Sequence, residues 1–464
     1  MSLPRYSGYK QSSKLGLGKL PSHWVVTRLS RITTQIKDGT HGTFARVSEG
    51  MPLLSAKNVL DGHLTLSDSE SLISEKNHTE IVANGFPKKG DLLLTIVGTI
   101  GRSCIYKLDH PIAFQRSVCF IRLSRGQIPQ FFYYFTQSRL FQDQLTERSK
   151  SSAQAGVYMG DVAATTAVFP PTAEEQVAIA SFLDSETAKI DALISEQEKL
   201  IALLAEKRQA TISHAVTRGL NPDARMKDSG VEWLGEIPAH WNLIRIKHVI
   251  TSISQGWSPQ CESFPVSSSD EWGVLKVGCV NGGVFRASEN KKLPSELEPI
   301  PAYSIKKGDL LISRANTRDL VGSAAVVEED FNNLMLCDKL YRLNTISDQC
   351  LPSYMSGYIG TLEARSQIEL QATGASSSML NIGQSVILEL VMPLPSITEQ
   401  EEITKFIAAE TKKADAINTE SEKAIVLLRE RRSALITAAV TGQIDVRDSA
   451  AQIGVEEKTE AIYE

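Results

Sequence analysis

This chain repeats itself in order, and that constrains its fold more than any other feature. Lys19-Leu-Pro-Ser-His-Trp24 returns as Glu236-Ile-Pro-Ala-His-Trp241 after 217 residues, and Lys88-Lys-Gly-Asp-Leu-Leu-Leu94 returns as Lys306-Lys-Gly-Asp-Leu-Leu-Ile312 after 218. Ile128-Pro-Gln-Phe-Phe-Tyr133 is answered by Leu351-Pro-Ser-Tyr-Met-Ser356 after 223, and Pro171-Thr-Ala-Glu-Glu-Gln176 by Pro395-Ser-Ile-Thr-Glu-Gln400 after 224. The offset only grows, so two copies run in the same direction with small insertions. A chain of 464 residues is in any case too long for one ordinary core.

The end of each copy is nearly invariant between copies. From Phe182 to Thr217, nineteen residues, including Glu186, Lys189, Asp191, Ile201, Arg208 and Val216, recur unchanged 224 positions later. Thr172-Ala-Glu-Glu and Ser396-Ile-Thr-Glu each read as a capping box that opens a helix, and Gly219 and Gly442 close the two helices. Between them apolar residues recur at three- and four-residue steps: Ile190, Leu193, Ile194, Ile201, Leu204 and Ile212 in the first, and Ile417, Ile425, Leu428, Leu435 and Ile436 in the second. At a rise of about 1.5 Å per residue, residues 172–217 make a rod of roughly 70 Å. A one-sided rod of that length cannot bury its stripe alone, so the two helices are expected to pair.

The middles differ. TQIKDGTHGTFARVSEG in the first copy faces SISQGWSPQCESF in the second. Short apolar runs bounded by Gly, Asn and Asp predict strands and turns there, with one helix per copy opened by Pro129 or Pro352. Phe131, Phe132, Phe135, Phe141 and Leu145 are expected to be core rather than a base-stacking platform. The fold class is α+β, with boundaries at 10–165 and 227–390 for the two globular domains, 171–219 and 395–442 for the long helices, and 443–464 for an acidic tail expected to fray.

Several function classes lack their signatures. No G-x-x-x-x-G-K-[ST] loop occurs, and neither Asn-Pro-Pro-Tyr nor Asp-Pro-Pro-Tyr is present for amino-methyl transfer. The six cysteines form no C-x-x-C pair and read as small buried hydrophobes. His23 and His240 sit beside Trp24 and Trp241 as packing residues, and Glu174-Glu175 and Glu401-Glu402 serve first helical turns. No stretch approaches the roughly 20 apolar residues of a membrane span, and no secretory h-region is visible, so a cytoplasmic location is expected. Charge is uneven: residues 10–170 hold 19 Lys+Arg against 12 Asp+Glu, whereas residues 227–393 hold 14 against 19.

Two divergent domains, each followed by a near-identical helix, resemble the specificity subunits of Type I restriction-modification systems. The run Trp233-Leu-Gly-Glu-Ile-Pro-Ala-His-Trp241, the Lys-Gly-Asp-Leu-Leu pair, the Pro-x-x-x-Glu-Gln helix starts and the Ala-Val-Thr helix ends carry the likeness, from about Lys10 to Thr441. The resemblance implies two target-recognition domains, each reading one part of a split, asymmetric sequence in double-stranded DNA. It implies that the helices pair antiparallel as a spacer and dock two methyltransferase subunits, with restriction/translocase subunits completing the assembly. It also implies that this chain is non-catalytic and holds no cofactor, S-adenosylmethionine and ATP/Mg belonging to the partners. Readout needs side chains that donate to and accept from base edges. On that ground the first domain's candidates are Lys37, Thr40, His41, Thr43, Lys57, Asn58, Arg102, Gln115 and Arg116, and the second's are Gln255, Trp257, Ser258, Lys276, Asn281, Arg314, Asn316, Thr317, Arg318 and Lys339. A rival reading stays open at this point: a non-catalytic scaffold whose coiled coil holds two ligand-binding domains.

Overall fold

The computed structural model describes residues 4–12, 18–67, 69–149, 156–376 and 379–449. The chain folds as two units, residues 1–198 with 422–464, and residues 199–421. Each long helix, Ala173–Arg218 and Ile397–Val440, therefore gives its first part to one unit and its second part to the other.

In the first unit the central sheet runs, edge to edge, Thr33–Asp38, Val118–Leu123, Leu92–Thr95, Ser103–Ile105. In the second it runs Ile250–Gln255, Leu340–Thr345, Leu310–Ser313, Ala324–Val326. All neighbours are antiparallel and the register is shared: Cys119 lies opposite Asp38 and Leu94, and Tyr341 opposite Gln255 and Ile312. The central strand of each is buried along its length, Leu92 to Thr95 and Leu310 to Ser313, which is why both read as unbroken apolar runs. The second unit adds a four-stranded sheet around Gly273–Leu275 with a core of its own, where the first has only the short set Leu72–Ile73, Met51–Leu54, Ala113–Phe114.

Each repeated motif turns out to be a fastening. In Lys-Lys-Gly-Asp, Gly90 (φ 92°) and Gly308 (φ 87°) take a left-handed turn that a side chain disfavours. The following Asp closes the turn by accepting the N–H of Lys88 or Lys306, at 2.7 and 2.9 Å. Asp91 also binds Arg122 at 2.7 Å, and Asp309 binds Asn344 at 3.0 Å, so a neighbouring strand is tied in. Gln176 and Gln400 are fully buried. Their Oε1 atoms take the N–H of Ile128 and Leu351, both at 2.9 Å, just where the Pro-initiated helices begin.

Helix starts follow the capping rule by half. Thr172 and Ser396 accept the N–H three residues on, at 3.4 and 3.3 Å. The Glu at that position does not reach back to close the box: Glu175 binds His23 at 2.9 Å and the Trp24 indole at 3.1 Å, and Glu399 binds His240 at 3.1 Å. The Pro-x-His-Trp repeat thus clamps each sheet to the first turn of a long helix.

Within the first unit the long helices run antiparallel, Asp191 meeting Arg432 at 2.9 Å and Glu198 meeting Arg429 at 3.1 Å. Their outer turns enter the main core of this unit, where Phe182 and Leu183 of the first helix and Ile436 and Val440 of the second pack with Phe131, Phe132 and Phe135. The second unit repeats this with Ala215, Val216 and Ile403 around Tyr354 and Tyr358, and Arg208 meets Asp415 at 3.4 Å. Ile190, Ile425 and Ile436 are buried, and Ile194, Ile201, Leu204, Ile212, Leu428 and Leu435 are partly so. Leu193 and Ile417 correct the expected seam, being 51% and 45% exposed. A pair of helices covers only a narrow seam, and residues at the edge of a wide apolar stripe roll out of it. The tail is also corrected in part: Val446 is buried in the first core, and the Asp445 N–H donates to the Pro4 carbonyl at 2.8 Å. Residues 450–464 lie outside the described residues.

Candidate nucleic-acid interface

Both units build a polar surface on one backbone device. The strand Thr33–Asp38 ends at Gly39, where a Cβ would lie 2.1 Å from the Phe114 carbonyl oxygen, and the strand Ile250–Gln255 ends at Gly256, where it would lie 1.8 Å from that of Leu336. Only glycine permits so close an approach. The next residue fastens the crossing, Thr40 donating its N–H to Phe114 at 2.7 Å and Trp257 to Leu336 at 3.0 Å. A loop after the edge strand is thereby pressed onto the turn that enters the middle of the sheet.

In the first reader this gathers Thr40, His41, Gln115 and Arg116. Thr40 and Gln115 form a bridge, and the Arg116 N–H donates to the Thr40 carbonyl at 3.0 Å. The Ala56 N–H donates to the Ser117 hydroxyl at 3.0 Å, which brings Lys57 alongside. His41 is exposed and bound to Asp38 at 2.7 Å, and Thr43 and Arg116 are exposed. Lys57 reaches Glu70 at 2.8 Å, and that bond, with others from Asn58 and Ser67, holds the Glu70 carboxyl below its usual range. One expected contact, Asn58, is corrected, and Lys37 and Arg102 are placed apart from this group. Asn58 is 1% exposed, its oxygen taking the Ser55 N–H and its nitrogen donating to Glu70 and Thr65, so it fastens its own loop. Lys37 is partly buried and donates to the Asn84 carbonyl. Arg102 lines a separate cleft of about 360 Å³ with Gln142, Arg429 and Arg432.

In the second reader the candidates converge on residues 338 and 339. Gln255 Nε2 and Arg314 Nη1 both donate to the Asp338 carbonyl, at 2.8 and 3.2 Å, and the Arg314 N–H donates to the Lys339 carbonyl at 2.9 Å. Ser258 and Asp338 are bonded to each other side chain to side chain. Asn316 reaches Asn281 at 3.3 Å, forming a second group, and Thr317 is exposed beside it. Three other candidates have partners of their own. Arg318 pairs with Glu369 at 3.2 Å, Lys276 with Glu289 at 3.8 Å, and Trp257 packs against the added core. The candidates read from the sequence left out Asp338, to which several of them turn. The nearness of Asp338 to the Gly256 crossing is visible only once the register is known. Among the described residues no group of three or more His, Cys, Asp or Glu is placed to hold a metal, and no helix is long and apolar enough to cross a membrane.

Residues 46–202 match the family model described as Type I restriction modification DNA specificity domain. Over 446 residues the chain is 22% identical to the Type I restriction enzyme EcoKI specificity subunit of Escherichia coli strain K12, spanning 93% of this chain and 91% of that protein. A 205-residue segment, 44% of this chain, is 31% identical to the Type I restriction enzyme EcoEI specificity subunit of Escherichia coli and spans about a third, 34%, of that protein. A chain solved in work on complex assembly and conformational transition of the type I R-M system shares the fold, with a TM-score of 0.61 at 18% identity over 91% of this chain and 98% of that one. Residues 46–202 thus resemble a Type I DNA specificity domain, and 93% of the chain is similar, at 22% identity, to a Type I specificity subunit.

Proposed function

We propose that this chain recognises a two-part, asymmetric sequence in duplex DNA, one part per reader, and recruits methyltransferase and restriction subunits to it. The observation that carries the reading is the contrast between scaffold and surface. The two central sheets share strand order and register, whereas the loops pressed onto them at Gly39 and Gly256 carry different polar side chains. Sequence readout asks for that division, since phosphate contacts fix position and variable side chains discriminate base edges. The paired helices set the gap between the two parts, as a fixed phase along the double helix requires.

The chain itself supplies recognition and no chemistry. S-adenosylmethionine and ATP with Mg²⁺ are bound by the partner subunits, and the assembly works in the cytoplasm. Leu203 and Leu427, 61% and 64% exposed on the long helices, offer apolar contacts to methyltransferase subunits. The acidic balance of the second reader is offset by positive charge on those partners. The test is an exchange of residues 20–165 for another reader, followed by mapping of methylated sites in cells holding the cognate subunits. One part of the methylated sequence changes while the other part and the gap stay; change in both parts sinks the proposal.

A further inference from the structure

The shared register places Arg116 and Asp338 at the same position of the two readers. Each lies two residues before a central strand, Val118–Leu123 or Leu340–Thr345, and two residues after the carbonyl, Phe114 or Leu336, that receives the loop following the invariant glycine. One position carries opposite charges. Arg116 is exposed, and its guanidinium engages no side chain or carbonyl among the described residues. Asp338 is partly buried and held: Gln255 and Arg314 grip its carbonyl, and the Ser258 hydroxyl binds Oδ1. Its Oδ2 receives no donor from the described residues.

A carboxylate on a surface facing DNA is repelled by every phosphate, so such a group is favourable only where it meets a base donor. In the major groove the exocyclic amino groups of cytosine and adenine are donors, but adenine sets the N7 acceptor beside its amino group, which repels a second carboxylate oxygen. Cytosine N4 has no such neighbour on its own ring. Arg at the matching position suits guanine, whose O6 and N7 accept a guanidinium fork. We propose that Arg116 and Asp338 are corresponding specificity-determining residues, Arg116 reading guanine in one part of the target and Asp338 reading cytosine in the other. This rests on the DNA-reading function proposed above.

The test uses the full chain assembled with its cognate methyltransferase subunits. Methylated sites are mapped in cells, and binding is measured on duplexes carrying each of the four bases at every specified position. Asp338→Asn keeps an oxygen for the Ser258 hydroxyl but replaces the free acceptor with an amide that suits adenine. The expected result is a loss of cytosine preference of about tenfold or more at one position of one part, with adenine gaining and the other part unchanged. Arg116→Gln relaxes guanine in the opposite part to a similar degree. Unchanged base preference in Asp338→Asn, or a loss spread evenly over all duplexes, overturns the assignment. If that chain does not assemble, Arg116, which supports no neighbour, decides: retained guanine preference in Arg116→Gln overturns it. A wild-type complex that yields no two-part methylated sequence defeats the parent reading, whereas a two-part sequence with unmoved preferences defeats this inference alone.

Discussion

Single residues here are informative mainly where they are buried. Burial pushes the Cys104, Cys337 and Cys350 thiols up to about 12, and Cys119 and Cys279 higher still, whereas Cys261 is only partly buried and less affected. At pH 8 a thiol-directed reagent therefore labels Cys261 first in the native chain, with the other five reacting after unfolding. Equal labelling of all six without denaturant contradicts the structure. Asp91 is 3% exposed and holds both a turn N–H and the partly buried Arg122, so Asp91→Ala leaves that guanidinium without its carboxylate and costs about 3 kcal/mol. Asp309→Ala, where Asn344 stands at the corresponding strand position and Arg342 approaches the carboxylate only at 3.7 Å, costs about 1–3 kcal/mol. Thermal unfolding of the two variants ranks them. Glu70 has a depressed folded-state pKa, first through the Lys57 bond, so its contribution is present above the ordinary carboxylate range and is lost as pH falls through that lowered value. Amide exchange at Asn58 and Thr65 accelerates on that descent beyond the intrinsic rate, and Glu70→Gln abolishes the pH response.

At the scale of elements, the same helix is asked to do different things along its length. Its outer turns are core, its middle is a seam, and its outward residues are apolar without being packed. Ile436, 1% exposed in the first core, should lose about 2–5 kcal/mol of stability on truncation to Ala, read as a lower melting midpoint. Leu427→Ala, on the outward face, should change stability by no more than about 0.5 kcal/mol and yet weaken copurification with the methyltransferase subunits. Retained association after Leu427→Ala and Leu203→Ala together would remove that face from the docking surface. The periodicity made these helices legible from sequence, but it assigned Leu193 and Ile417 to the seam along with Ile190 and Ile425. A 3.6-residue repeat reports which residues are apolar on one side, not how narrow a strip one partner helix covers.

At the scale of the molecule, inserting about four matched residues in each long helix, one turn, should widen the gap between the two methylated parts without altering either. An unchanged gap in the mapped sites removes the spacer role. The repeat alone settled most of the architecture: two copies in one order imply two equivalent readers, and their matched offsets imply one strand plan. The helix starts at Thr172 and Ser396 followed from local capping chemistry. The candidate interface was legible as two polar loops but not residue by residue. Whether Asn58 faces solvent or fills its own loop, and whether Arg318 is free or paired with Glu369, depends on partners distant in sequence. Local periodicity and turn chemistry act over a few residues and are written in the sequence. The close crossings at Gly39 and Gly256, and the equivalence of Arg116 in one unit with Asp338 in the other, arise from strands that pair across some eighty residues, and only the tertiary fold decides them.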